Sequence, residues 1–154
     1  MSNATAGSDA IPADDFKMSW LKRLLGGTEE TAPLRGAPEV RREKTYSSDT
    51  GYVYQYFYEG YREASRESGE GIEFVFSVTA DRKTRHPVRV FIGNESLAEW
   101  SREYSRELTH TEQYAIAKMG LFQAFDEREE LYRGGGDVRV TAGQVAEHCA
   151  ALDL

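Results

Sequence analysis

The sequence predicts an α+β fold: a three- to four-stranded antiparallel sheet, a meander, packed on two or three helices behind a disordered N-terminal extension. Three observations carry that expectation. Tyrosine, valine, phenylalanine and isoleucine recur with a two-residue period through residues 46–92, as half-buried strands require. From Asn94 onward the apolar period changes to that of a helix. The strand segments are joined by short polar loops, which suit antiparallel neighbours, whereas parallel strands need a crossover of a dozen or more residues.

Residues 1–14 are small, polar and proline-containing, too poor in apolar surface to offset the entropy of ordering. Ser2, Asn3 and Ala4 read as a cloning remnant and Met18 as a natural start, so residues 1–17 carry no weight in the fold expectation. Asp14 or Asp15 caps an amphipathic segment over about 14–26, with Phe16, Trp20, Leu21, Leu24 and Leu25 on one broad face and Ser19, Lys22 and Arg23 on another. Gly26 and Gly27 stop it. Residues 28–43, with Pro33, Gly36 and Pro38 among charges, read as a linker. The chain thus divides into a flexible extension, 1–43, and a single α+β domain, 44–154.

Within the domain, a long strand is expected from Tyr46 to about Ala64, bulged at Gly60, followed by a turn at 67–71 and a strand from Ile72 to Thr79. After the polar connection 81–87, Val88 to Ile92 forms the third strand. Asn94 then caps a helix whose stripe is Leu97, Trp100, Tyr104 and Leu108. Thr109 with Glu112 spells a capping box for a second helix running to about Arg133, with Ala115, Met119, Phe122 and Phe125 inward. Gly134, Gly135 and Gly136 end it, Asp137 to Val140 reads as a short strand, and Thr141 with Gln144 boxes a last helix through Val145, Cys149 and Leu152.

Composition narrows the function classes. With 154 residues, 40% of them hydrophobic, the chain supports one packed core. Its apolar runs are a few residues long, far short of the roughly 20 of a membrane-spanning helix, and the N-terminus lacks the basic and apolar regions of a secretory signal. A single cysteine, Cys149, excludes an internal disulfide and a multi-thiolate metal site, so the expected compartment is a bacterial-type cytoplasm. A net charge of −7 repels nucleic-acid phosphates unless the bases are gathered on one face, so strong nucleic-acid binding is not expected. The local basic stretches, Arg35, Arg41, Arg42 and Lys44, then Arg82, Lys83, Arg85 and His86, read as solvated loop charges.

No motif specifies catalysis, a cofactor or a metal. His86, His110 and His148 lack the spacing that sets two ligands on one helical face. His110 and Glu112 spell H-x-E, yet the P-C-x-x-C of a zinc deaminase is absent. His148 and Cys149 are adjacent on a helix and diverge by about 100°, so they cannot pair, and Cys149 reads as a core residue. The triple glycine lacks the Lys-Ser/Thr of a phosphate loop, and Asp126, Glu127, Glu129 and Glu130 read as a solvated helix face. TAGQVAEHCAAL resembles the first helix of a helix-turn-helix, and MSWLKRLLGG is similar to the opening of small bacterial haemolysin-activator-like regulatory proteins; neither likeness carries a functional residue.

The expected function is therefore a non-catalytic interaction or regulatory module that takes no cofactor and has a protein partner, most simply a second copy in a homodimer. The expected contact is an outward tyrosine row, Tyr52, Tyr54, Tyr56 and Tyr58, beside Val75 and Phe91, because tyrosine combines a large ring with a hydroxyl that suits a half-exposed surface. Two alternatives stand beside it: a small enzyme whose site is assembled only in three dimensions, and a single-stranded nucleic-acid binder that stacks bases on the strand tyrosines. The amphipathic segment 14–26 suits packing on its own domain or a neighbouring protomer, or peripheral contact with an anionic membrane.

Overall fold

A computed structural model describes residues 32–154; the amphipathic segment with Phe16, Trp20, Leu21, Leu24 and Leu25 lies outside them. The chain forms β1 (Lys44–Ser47), β2 (Val53–Arg66), β3 (Gly69–Thr79), β4 (His86–Gly93), α1 (Asn94–Tyr104), α2 (His110–Glu127), α3 (Leu131–Gly134), β5 (Gly136–Val140) and α4 (Ala142–Ala151). The strands make one curled sheet in the order β1-β2-β3-β4-β5. The first four form an antiparallel meander, whereas β5 joins β4 in parallel, after a connection that contains three helices. The fold is α+β, with five strands where three or four were expected.

The segment read as one strand from Tyr46 is two. Ser48 begins a turn, its amide bonded to the Tyr52 carbonyl at 2.9 Å and its carbonyl accepting from Gly51 at 3.1 Å, and Gly51 takes φ +96°. Turn residues Ser48, Asp49, Thr50 and Gly51 carried that signal. The bulge at Gly60 is present: Tyr58 lies opposite Phe76, Gly60 opposite Val75 and Tyr61 opposite Phe74. At φ +135°, with an added Cβ only 2.7 Å from the Arg35 carbonyl oxygen, the position accepts glycine alone. Arg35 pairs with Tyr61 through bonds of 2.8 and 2.9 Å, pinning that part of the 28–43 stretch onto β2.

Between β3 and β4, Asp81 organises the loop by accepting the amides of Lys83 at 2.8 Å and Thr84 at 2.9 Å, and the Thr79 hydroxyl at 3.1 Å. These donors, the Thr84 amide first, hold its carboxyl down at about 2.

Both capping boxes form as expected. Thr109 Oγ1 accepts the Glu112 amide at 3.1 Å while Glu112 returns a bond to the Thr109 amide at 2.9 Å, and Thr141 and Gln144 repeat the exchange at 3.2 and 2.9 Å. The cap of α1 differs: Gly93 occupies the N-cap position with no side-chain bond, and Asn94 lies within the helix. Of that helix's expected stripe, Trp100 is buried but Tyr104 is 54% exposed, and Leu108 is buried beyond the helix end. The buried face of α2 is also rotated from expectation, to Ile116, Ala117, Gly120, Leu121, Ala124 and Phe125. The helix ends at Glu127, with α3 taking up the remainder of the expected length.

Helices α1 and α2 pack on one face of the sheet, and α4 packs on both of them. There Phe74, Phe76, Val78, Val88, Val90, Ile92, Val138 and Val140 meet Ile116, Leu121, Phe125, Val145 and Cys149 in one cluster. Each fully buried large apolar side chain contributes roughly 1.5–3 kcal/mol from surface removed from water.

Candidate functional site

The structure overturns the outward tyrosine row. Tyr54 and Tyr56 are 0% and 4% exposed, and Tyr52 and Tyr58 are half-buried against the same core. Register is the reason. Tyr56 lies opposite Val78 and Tyr58 opposite Phe76, and residues directly opposed in an antiparallel pair share a face. The row must therefore follow β3's apolar set inward. Helix α2 and α3 supply aromatic partners: Tyr54 stacks on Phe125 at 4.0 Å, Tyr46 on Phe122 at 4.4 Å and Tyr52 on Tyr132 at 4.1 Å. Burial foremost, then the Asp126 carboxylate that accepts its hydroxyl at 2.7 Å, pushes Tyr46 up to about 12. Asp126, read as part of a solvated face, also accepts the Asp49 amide at 2.9 Å, so it anchors the β1–β2 turn. Stacking on nucleic-acid bases is closed to Tyr54 and Tyr56.

Val75 and Phe91 lie on the opposite, outer face, away from the tyrosines, and both are buried. Arginines dominate this face. Arg66 lies 4.7 Å over Phe91, and Arg41 and Arg85 lie 4.5 and 4.4 Å over Phe57. The Phe91 ring extends across Gly71, where an added Cβ would meet it at 2.6 Å. Glu73, 2% exposed, accepts from Arg62 Nε at 2.6 Å and from Arg66 Nη2 at 2.5 Å. Burial alone raises its pKa, but the bonds from Arg66 and Arg62 outweigh burial and hold the carboxyl below its ordinary value.

The last strand presents the most open chemistry. Gly135, at φ +76°, lets the chain enter β5 beside the start of β4; a Cβ there would stand 2.5 Å from the Pro87 carbonyl oxygen and 2.8 Å from His86 Cβ. Substituting Gly135→Ala is expected to cost about 2 kcal/mol through the left-handed backbone and this collision, read as a lower denaturation midpoint. Gly120 similarly lets α2 approach β5, its missing Cβ lying 2.8 Å from Val140 Cγ2. Val138 and Val140 point into the core, while Asp137 and Arg139 are exposed on the outer face. Asp137 Oδ1 accepts from Arg89 Nη1 at 3.1 Å.

No strand pairs with the far side of β5 among the described residues. The Asp137 carbonyl faces that side, where Arg128 Nη1 donates to it at 2.9 Å. Main-chain groups alternate along a strand, so the amides and carbonyls of Asp137 and Arg139 share the free side while those of Val138 turn to β4. Three clefts meet at Arg139. One of about 510 Å³ runs past Ser68–Glu70 to Gly93–Ser96, one of about 330 Å³ crosses Arg66, Phe91 and Asp137, and one of about 90 Å³ follows Gly120, Ala124 and Gln144 along the strand. The Arg139 guanidinium forms no ion pair among the described residues.

The histidines are dispersed. His110 packs tilted against Tyr61 at 4.1 Å, His148 is buried on α4 with its pKa lowered by burial, and His86 begins β4; none lines these clefts. Cys149 is buried, and burial raises its thiol pKa. Among the described residues no group of three or more His, Cys, Asp and Glu is placed to hold a metal ion, and no helix is long and apolar enough to cross a membrane. Sequence reasoning missed Arg128, Asp137 and Arg139. The alternation of 137–140 marked a strand, but its place at the sheet edge depends on a parallel pairing that no local pattern encodes. No protein-family model matches the chain, and no curated protein and no solved structure matches it either.

Proposed function

We propose that the protein is a non-catalytic interaction module that receives an extended protein segment along the free side of β5. The observation that carries this reading is the main-chain edge of Asp137 and Arg139, which no strand pairs among the described residues and on which Arg128 donates to the Asp137 carbonyl, bordered on both sides by clefts that can take alternate side chains of an added strand. Main-chain hydrogen bonds supply affinity in such a complex and the flanking clefts supply selectivity. The polar rim, with Arg66, Asp137 and Arg139 around Phe91, suits a partner strand of mixed charge. A homodimer and a role in regulation both fall within this reading.

Selection of random extended peptides against the immobilised protein tests it. Peptides recovered are expected to lose binding to an Arg139→Pro variant, because proline removes the edge amide while remaining tolerated in an edge strand. Circular dichroism verifies that the variant is folded. Peptides that bind the folded variant as well as they bind the wild type place the contact elsewhere and reject the reading.

A further inference from the structure

We infer that the strand received by β5 is β5 of a second copy, antiparallel, in the register that sets Val138 opposite the partner's Val138. The inference rests on the strand-accepting reading above and names its occupant. Charge complementarity carries it. Asp137 and Arg139 flank Val138 on the outer face, and in a two-fold antiparallel pairing about Val138 each Asp137 lies opposite the partner's Arg139. The same register uses the free main-chain groups. Asp137 and the partner's Arg139 would form a hydrogen-bonded pair, each amide donating to the other's carbonyl, and symmetry repeats it. The Asp137 oxygen has two lone pairs, so the bond from Arg128 and one from the partner's Arg139 amide are compatible.

Side chains agree with the register. Arg139, which lacks an ion pair among the described residues, would gain a carboxylate, and Asp137 would be shared between Arg89 and the partner's Arg139. Val140 would lie opposite the partner's Gly136, where no Cβ crowds the approach. Residues Gly136–Val140 contain no proline, and the bonded part of the edge has no bulge, two of the devices that block edge pairing. The outcome is a closed dimer in which two sheets become one. Its edge is five residues long, so the contact belongs with weak interfaces below about 1,200 Å² and association is expected to depend on concentration.

Sedimentation equilibrium of the full chain, from low micromolar to near millimolar, tests the inference with a charge exchange. Wild type is expected to move from one chain to two. Arg139→Asp sets Asp137 opposite the partner's new acid, and Asp137→Arg sets two bases opposite; each is expected to weaken association roughly tenfold or more. An equal mixture of the two variants restores opposite charges at both pairs and is expected to recover the dimer. Both positions are exposed, and thermal melts verify that the variants fold. Amide exchange on the unmodified protein supplies a second readout, with Asp137 and Arg139 slowing as concentration rises. A wild type that stays monomeric, single variants that associate like wild type, a mixture that does not recover, or concentration-independent exchange at those amides each overturns the dimer. A monomer that still binds selected peptides sensitive to Arg139→Pro removes the dimer alone and leaves the strand-accepting reading standing.

Discussion

Replacing Phe125 by alanine is expected to destabilise the protein by about 3–5 kcal/mol, the range for truncating a buried aromatic whose surroundings relax only in part. Phe125 is fully buried and is the common partner of three tyrosines: stacked on Tyr54 at 4.0 Å, and tilted against Tyr46 at 5.8 Å and Tyr56 at 6.4 Å. Removal of its ring therefore leaves a cavity at the seam between sheet and helix. It also forfeits ring contacts worth roughly 0.5–1.5 kcal/mol each beyond area burial. Urea denaturation followed by circular dichroism measures the loss, and Phe125→Leu is expected to recover much of it by refilling volume. A loss under about 1 kcal/mol would be incompatible with an inward tyrosine row.

An equally large effect is expected on the outer face. Glu73→Ala leaves Arg62 and Arg66 without the buried carboxylate they share, and breaking a buried pair by removing one partner costs about 3–5 kcal/mol. Glu73→Gln retains shape and one acceptor and is expected to cost less. The pH dependence has a definite sign. The folded-state pKa lies below the ordinary 4.5 because the bonds from Arg66 and Arg62 exceed the opposing effect of burial. Its contribution is then complete above about 4.5, the unfolded value, and is lost as pH falls through the folded one. The stability difference between wild type and Glu73→Gln should be flat from neutral pH to about 4.5 and shrink in more acid solution. A difference that grows on acidification would contradict the assignment.

Much of the architecture was legible because it is local. Both capping boxes, the bulge at Gly60 and the inward sets of β3 and β4 are written in spacings of two to four residues. The missed turn at 48–51, the α1 cap and the end of α2 were local misreadings; the larger failures were non-local. The facing of the tyrosine row depends on which residues of β3 stand opposite it, and tyrosine's polar tip misled because Tyr46 finds Asp126 from a distant helix. Tyr54 goes further, its hydroxyl buried with no hydrogen-bond partner among the described residues, so ring stacking outweighed the preference of the hydroxyl. The candidate edge was the least legible part. Asp137–Val140 reads correctly as a strand, but nothing in its composition says that it lies in parallel beside β4 with its other side open.

The bulge at Gly60 reaches beyond backbone geometry. Ahead of it the core-facing residues of β2 are even-numbered, Tyr54, Tyr56 and Tyr58; beyond it Tyr61 stands opposite Phe74 and faces inward, while Arg62 stands opposite Glu73 and faces outward. One strand is thus read in two phases. The rule for which substitutions it tolerates inverts partway along its length, and a hydrophobicity profile averaged over the whole strand blurs both halves. Loss of the single residue Gly60 would close the bulge, because Tyr58, Glu59 and Tyr61 would then stand one-to-one opposite Phe76, Val75 and Phe74. Both halves of the strand would keep their faces, the tyrosines inward and the Glu73-binding arginines outward.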